Sequence, residues 1–268
     1  MQNQEILINY LNELNINYEI KTLKDITKLI KAHLRTFSFS SLRVLLKEEI
    51  SLDLNNIYEN IVLKKRGGYC FEHNKLMYEV LKELGFDVTH YLARVINNTQ
   101  NIPAQTHRFT LLDFQGEKYL IDVGIGFRTP SVPIKLGNTS SVSHLGVEYK
   151  IVELEDKICS MQLMQKGKPF NATKFDLNKC YESDFEIGNF YSYKNPNAVF
   201  VNNFVISLIE EDVIHSLVNE KYFKINKQGT KEIEIRSCEQ LEELLKNDLN
   251  SKFTANEIAF FHKNYIKA

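Results

Sequence analysis

The hydrophobic pattern of this chain changes period at Gly85, and that change limits what the chain can fold into. Before it, Ile6, Leu7, Tyr10, Leu11 and Leu14 recur at helical spacing, followed by Ile26, Leu29, Ile30, Ala32, His33 and Leu34. Asp25 reads as the N-cap of the second helix. A third helix is expected over residues 71–84, where Leu76, Met77, Val80, Leu81 and Leu84 form one stripe and Gly85 supplies the stop. Beyond Gly85 the runs shorten to strand length at 88–96, 109–114 and 119–123, the last two joined by a Gln115-Gly116 turn. Further β-like runs at 147–154, 159–163, 200–208, 222–225 and 231–235 suggest a barrel or strongly curved sheet. Helical stretches at 238–245 and 255–265 close the chain, and the Asn-rich segment 193–203 reads as loops. The expectation is an α+β protein with segments 1–85, 86–190 and 191–268.

At 268 residues the chain can bury its own core without metal or disulfide staples. Its 33 basic and 34 acidic residues leave a formal charge of −1, so no global field recruits nucleic acid or anionic lipid. The first residues lack the basic region of a signal peptide, and no apolar run approaches bilayer-spanning length, which reads as a cytoplasmic protein. Cys70, Cys159, Cys180 and Cys238 are scattered, with no CxxC pair, so neither a zinc site nor a disulfide framework is expected. Small buried hydrophobes is the reading for three of them.

Cys70 differs because of its neighbours. In Arg66-Gly67-Gly68-Tyr69-Cys70-Phe71-Glu72 the thiol follows a Gly-Gly turn and sits in the first turn of an amphipathic helix. Unpaired N–H groups at a helix N-terminus favour a thiolate and can donate to an oxyanion. Adjacent glycines allow close approach of a substrate to the backbone. Alone, the string is equally a tight loop with a core cysteine. A thiol nucleophile needs a base. Of the seven histidines, His107 stands at the start of a strand whose hairpin partner carries Asp122 inside an apolar run. With the turn centred on Gln115-Gly116, Asp122 falls opposite Phe109 and His107 opposite Gly124, which makes His107 and Asp122 diagonal neighbours on one face. An aspartate there orients the imidazole and stabilises its charged form. Taken singly, His107 is an edge histidine and Asp122 a strand-end cap. His33 and His262 lie in helices, and His73 is one turn beyond Cys70.

The string from Arg66 to Glu72, followed by Asn74, resembles the active-site motif of the arylamine N-acetyltransferases, which also place a histidine and then an aspartate downstream. Asp122-Val123-Gly124-Ile125-Gly126 with Pro130 and Pro133-Ile134 resembles that family's segment after the aspartate. Asp184, Asn189, Tyr191, Ser192 and Asn195-Pro196 to Phe200 resemble its later motif. The resemblance implies an N-terminal helical bundle, a central β-barrel and a C-terminal α/β lid around a cysteine-protease-like catalytic core. It further implies a ping-pong transfer from acetyl-CoA through a Cys70 thioester to an arylamine, arylhydrazine or N-hydroxyarylamine, with His107 and Asp122 as catalytic partners. From the resemblance, Ala104, Thr106, Gly124 and Gly126 are expected at the acetyl-CoA site. Phe37, Phe39 and Phe127 are candidates for the aromatic pocket by position, and equally ordinary core aromatics. No metal, membrane or nucleic-acid partner is implied.

The chain departs from the family at Ser38-Phe39-Ser40-Ser41-Leu42, where members usually carry Pro-Phe-Glu-Asn-Leu, and at Glu13, where Arg is common. Arg66 therefore lacks its usual partners and is expected to bind elsewhere. Ile125 stands where a pocket Phe is frequent, which loosens the link to aromatic amines. The competing reading is a transglutaminase-like or peptidase-like thiol enzyme acting on protein amides, since the Cys–His–Asp order is shared. A third is a binding module that has lost catalysis.

Overall fold

A computed structural model describes residues 3–16, 19–165 and 167–266. The N-terminal part holds α1 (Asn3–Glu13), α2 (Leu23–Thr36), the short strand β1 (Phe39–Ser40), α3 (Leu42–Leu45), α4 (Leu54–Tyr58) and α5 (Cys70–Glu83). The stripes of α1, α2 and α5 meet in one buried cluster with Ile57 and Ile61. Thr22, not Asp25, caps α2. Its side chain accepts from Asp25 N while the Asp25 carboxylate accepts from Thr22 N, so Asp25 is the far half of a capping box. At the other end of α5, Gly85 has φ +84° and donates to Lys82 O while Phe86 N reaches Leu81 O, the paired bonds of a glycine C-cap.

The middle of the chain supplies β2 (Asp87–Val95), β3 (His107–Phe114), β4 (Glu117–Ile121), β5 (Ile134–Lys135), β6 (Ser141–Val142), β7 (Glu148–Glu153), β8 (Cys159–Gln165) and β9 (Lys168–Phe175). They form an antiparallel sheet in the order β5-β4-β3-β2-β9-β8-β7-β6 that curls until β5 meets β7, a nearly closed barrel. Gln115 and Gly116 both have positive φ, 54° and 78°, and make the two-residue turn that the twist of a hairpin favours. The ladder runs from Phe114–Glu117 to Thr110–Ile121, the register expected from the sequence.

The remainder is α6 (Glu182–Lys194), α7 (Val199–Asn202), β10 (Val205–Ile209), β11 (Ile214–Val218), β12 (Lys221–Asn226), β13 (Gly229–Glu234), α8 (Cys238–Glu243) and α9 (Ala255–Tyr265). The expected strand at 200–208 begins only at Val205, because Phe200 lies on α7, and the segment expected to be loops includes the end of α6. The second sheet has the order β1-β10-β11-β12-β13, so its edge strand comes from the N-terminal part. Leu42 and Leu45 pack with Leu217, Leu241, Ile258 and Phe261 in that sheet's core. Among the described residues, no helix is long and apolar enough to cross a membrane.

Candidate active site

Cys70 is the first residue of α5, buried, its thiol 3.4 Å from Thr106 O. The turn before it has no room for side chains. A Cβ on Gly67, whose φ is +71°, would stand 2.5 Å from Ser38 O, and one on Gly68 would stand 2.9 Å from Ile61 Cδ1. Gly67 is thus required by the chain's own segment at β1, which bridges Phe39 to Gly68, and Gly68 by Ile61 and Glu72, rather than by an approaching substrate. Tyr69 N–H donates to the Glu72 carboxylate at 3.2 Å, which fixes the entry to the helix, and the buried Glu72 is held in turn by Arg43 Nη1 at 2.7 Å.

His107, at the start of β3, binds Asp122 just beyond the end of β4. Nε2 to Oδ2 is 2.6 Å, and both side chains are 2% exposed. The other face of the ring makes a hydrogen bond with Cys70. Burial pulls the His107 imidazolium down, but the Asp122 carboxylate and the hydrogen bonds to Asp122 and Cys70 overcome it and raise the ring from 6.5 to about 10. Asp122 is itself fixed, since Oδ1 accepts from Asn74 Nδ2 and Gly124 N, each at 2.9 Å. Asn74 also accepts from Val123 N at 2.9 Å and donates to Arg108 O at 2.6 Å, so one buried amide ties α5 to both strands. The motif places Asn74 beside Cys70, yet nothing in spacing alone reveals that its partner is Asp122.

A cavity of about 440 Å³ opens over these groups. Cys70, His107, Ala104, Thr106, Gly124, Gly126, Phe39 and Phe127 all line it. Gly124 has a second task, because a Cβ there would stand 2.8 Å from Asn74 Nδ2 and 2.9 Å from Cys70 Cα. Phe37 does not reach the cavity. It stacks on Tyr10 at 5.9 Å and packs edge-on to His33 at 5.4 Å in the helical core, because as the C-cap of α2, four residues after His33, it continues that helix's buried face. Sequence reasoning missed Arg128, Ser207 and Ser216, which also line the cavity, and had Tyr191 and Phe200 only as part of the later motif. Ser207 falls within the β-like run read at 200–208, whereas Ser216 lies on β11, which no expected run covers. Among the described residues, no cluster of His, Cys, Asp and Glu is suited to a metal.

The departures have partners. Arg66 pairs with Glu48 at 2.7 Å and with Glu257 of α9 at 2.5 Å, its guanidinium over the Phe253 ring. Arg43 bridges Glu48 and Glu72, so a continuous ion-pair chain runs from the C-terminal helix to the start of α5. Glu13 pairs with Lys65 at 2.7 Å. The serines of β1 are small enough to lie against Gly67: Ser40 N–H donates to Gly68 O at 2.6 Å and Ser38 O accepts from His73 Nε2 at 3.0 Å.

A model of the N-acetyltransferase family matches residues 22–258. The arylamine N-acetyltransferase of Escherichia coli is 36% identical over 190 residues, 69% of this chain and 67% of that protein. The arylamine N-acetyltransferase / N-hydroxyarylamine O-acetyltransferase of Salmonella typhimurium is 29% identical over 250 residues, 90% of this chain and 89% of that one. The solved arylamine N-acetyltransferase of Salmonella typhimurium superposes with a TM-score of 0.90 at 27% identity, covering 96% of this chain and 98% of the other. A thiol, an imidazole and a carboxylate assembled between a helix and a barrel thus sit in a chain whose likeness extends over nearly its whole length, and the chain belongs to the arylamine N-acetyltransferase family.

Proposed function

We propose that this protein transfers an acetyl group from acetyl-CoA to the nitrogen of an arylamine, arylhydrazine or N-hydroxyarylamine, with Cys70 as nucleophile, His107 as proton carrier and Asp122 as its orienting anion. The observation that carries the reading is the His107–Asp122 contact with Cys70 on the other face of the ring. An imidazolium raised to about 10 stays charged at neutral pH and is the cation a thiolate needs beside it. In the first half-reaction the thiolate attacks the acetyl carbonyl, forming the C–S bond. The N–H groups of Cys70 and Phe71 at the start of α5 are the ones available to the developing oxyanion, since those of Glu72 and His73 donate to Tyr69 O. The departing thiolate of coenzyme A takes the proton from His107. In the second, the amine attacks the Cys70 thioester, neutral His107 accepts the amine proton, and the Cys70 thiolate leaves. The imidazolium and thiolate are then restored.

Ala104, Thr106, Gly124 and Gly126, expected at the acetyl-CoA site, border the cavity, and Phe39 and Phe127 line it as candidates for the aromatic acceptor. The division into segments 1–85, 86–190 and 191–268 belongs to the same reading, with nucleophile, base and lid on successive segments; α6 runs through residue 190 and joins the last two. The competing amide-directed reading predicts no reaction with acetyl-CoA. Incubation with acetyl-CoA alone should add one acetyl mass to Cys70, absent in Cys70→Ala and lost when an arylamine is added. A wild-type chain that gains no mass, or a Cys70→Ala chain that acetylates amines at the wild-type rate, contradicts the proposal.

A further inference from the structure

We infer that α6 braces the thiol and the imidazole against each other, with Gly188 and Asn189 as positioning residues that act through the neighbours of Cys70 and His107. The inference rests on the reading of Cys70 and His107 as a reacting pair and adds what holds that pair in place.

Cys70 stands at the start of α5 and His107 at the start of β3, so their separation depends on how two elements are held together. A displacement on the order of 1 Å between them is enough to cost roughly 100-fold in rate. α6 reaches the residues around both. Asn189 Oδ1 accepts from the hydroxyl of Tyr69, the residue before Cys70, and Asn189 Nδ2 donates to Ile50 O at 2.7 Å. One position earlier, Gly188 lies against Phe71, the residue after Cys70. A Cβ there would stand 2.8 Å from Phe71 Cζ and 2.9 Å from Gln105 O. Gln105 precedes Thr106, whose carbonyl accepts from the Cys70 thiol at 3.4 Å. At the start of the helix Glu182 accepts from Arg108, the residue after His107, at 3.3 Å and pairs with Lys75 of α5. The Arg108 guanidinium lies 4.2 Å over the ring of Phe185, also on α6.

The buried positions of α6 are Phe185, Gly188, Asn189 and Ser192, of which one is large and apolar. Apolar packing is non-directional and tolerates sliding, whereas a buried amide that uses its acceptor on Tyr69 and its donor on Ile50 O has one position along the helix. The bare backbone at Gly188 sets the depth, since any side chain there would push against Phe71 and the 104–106 segment together. α6 lines the cavity through Tyr191 and Ser192, so Gly188 and Asn189 act on the chemistry through Tyr69, Phe71 and Gln105.

The test uses Tyr69→Phe, which keeps the ring and removes the hydroxyl, Gly188→Ala, and Asn189→Leu alone and combined with Tyr69→Phe. Ile258→Val, in the core of the second sheet, is weakened elsewhere and serves as the comparison. For each, three quantities are read: acetylation of 4-methylaniline by acetyl-CoA, iodoacetamide modification of Cys70 at pH 6.5 followed by peptide mass, and the urea midpoint. In Tyr69→Phe and Gly188→Ala, kcat should fall about tenfold or more with both KM values within about twofold, and alkylation should slow by a similar factor and recover as pH rises. The double variant should lose little more than Asn189→Leu alone, because its two substitutions remove one shared bond. Ile258→Val should leave both rates within about twofold of wild type. Rates within about twofold in both Tyr69→Phe and Gly188→Ala overturn the inference. So do losses that track the urea midpoint equally in Ile258→Val, which assign α6 to stability alone. If one of the two brace variants does not fold, the other decides. A wild type whose Cys70 takes no acetyl group from acetyl-CoA refutes the acetyl-transfer reading instead, and the alkylation rates alone then decide whether α6 is a brace.

Discussion

Replacing Asp122 with Asn isolates the electrostatic part of the site, because the amide keeps the shape and most of the hydrogen bonds. Asn74 Nδ2 and Gly124 N–H, now donating to the carboxylate at 2.9 Å each, retain an amide oxygen to bind. What changes is the atom 2.6 Å from His107 Nε2, where a negatively charged acceptor becomes a neutral NH₂ donor. In the wild type that charge and its hydrogen bond outweigh burial and carry the imidazolium from 6.5 to about 10. The gap is on the order of 5 kcal/mol, and without the carboxylate burial alone drives the ring below its ordinary value. At pH 7.5 the imidazolium then passes from nearly complete to a small minority. With the amide NH₂ toward Nε2, the proton is also forced onto the nitrogen facing Cys70, the wrong arrangement for a base. The assay is the rate of iodoacetamide modification at Cys70, followed by peptide mass because Cys159, Cys180 and Cys238 are also free thiols. The wild-type rate at pH 6.5, where His107 is charged, is the reference. In Asp122→Asn the rate at pH 6.5 should fall about 100-fold and climb with pH. Acetyl transfer should fall about 10³-fold or more, the order found when the orienting Asp of a serine triad is replaced. Superimposable alkylation profiles would refute the claim that Asp122 sets the charge of His107.

Gly124→Ala places a methyl 2.8 Å from Asn74 Nδ2 and 2.9 Å from Cys70 Cα, so it should cost about 1–3 kcal/mol in urea unfolding and at least about tenfold in kcat/KM; unchanged values would deny the close approach. Mild acid should weaken the fold through the chain in which Tyr10 O–H donates to His33 Nδ1, His33 Nε2–H to His73 Nδ1 and His73 Nε2–H to Ser38 O. Burial holds both histidines neutral, His73 down at about 4, so this contribution is complete above about 6.5 and is lost as pH falls toward 4. It is worth roughly 3 kcal/mol from His73, and its signature is a drop in urea midpoint between pH 7 and 5 that flattens in His73→Gln. Arg66→Ala removes a guanidinium shared by Glu48 and Glu257 and stacked on Phe253, and should lower stability by about 2–4 kcal/mol in the same assay; a loss under about 0.5 kcal/mol would show the pairing to be idle.

The parts of this molecule that were legible in its sequence are those where one physical signal acts alone. The hairpin of β3 and β4 could be registered because Gln115-Gly116 admits positive φ and the flanking runs are apolar, and that register is what brings His107 to Asp122. The helix α9 was equally plain, with Thr254 and Glu257 closing a capping box at its start. By contrast α6 was hidden, although it lines the cavity through Tyr191 and Ser192. Its buried positions, Phe185, Gly188, Asn189 and Ser192, have helical spacing, but three of the four are small or polar. The reason lies in what they touch: Gly188 has no room beside Phe71 and Gln105 O, and Asn189 binds Ile50 O and the Tyr69 hydroxyl. A face chosen for close approach and hydrogen bonds carries no hydrophobic period. The strand β11 was missed likewise, since His215 and Ser216 are buried in it for reasons of contact rather than apolarity. The same reasoning explains the ion pairs of Arg66. Without a carboxylate at β1, the half-buried Arg66 is satisfied by whichever acidic residues lie within reach, and Glu48 and Glu257 are far apart in sequence. Only the fold brings them together, so charge at a departed motif position is constrained to be balanced while the balancing residue is not.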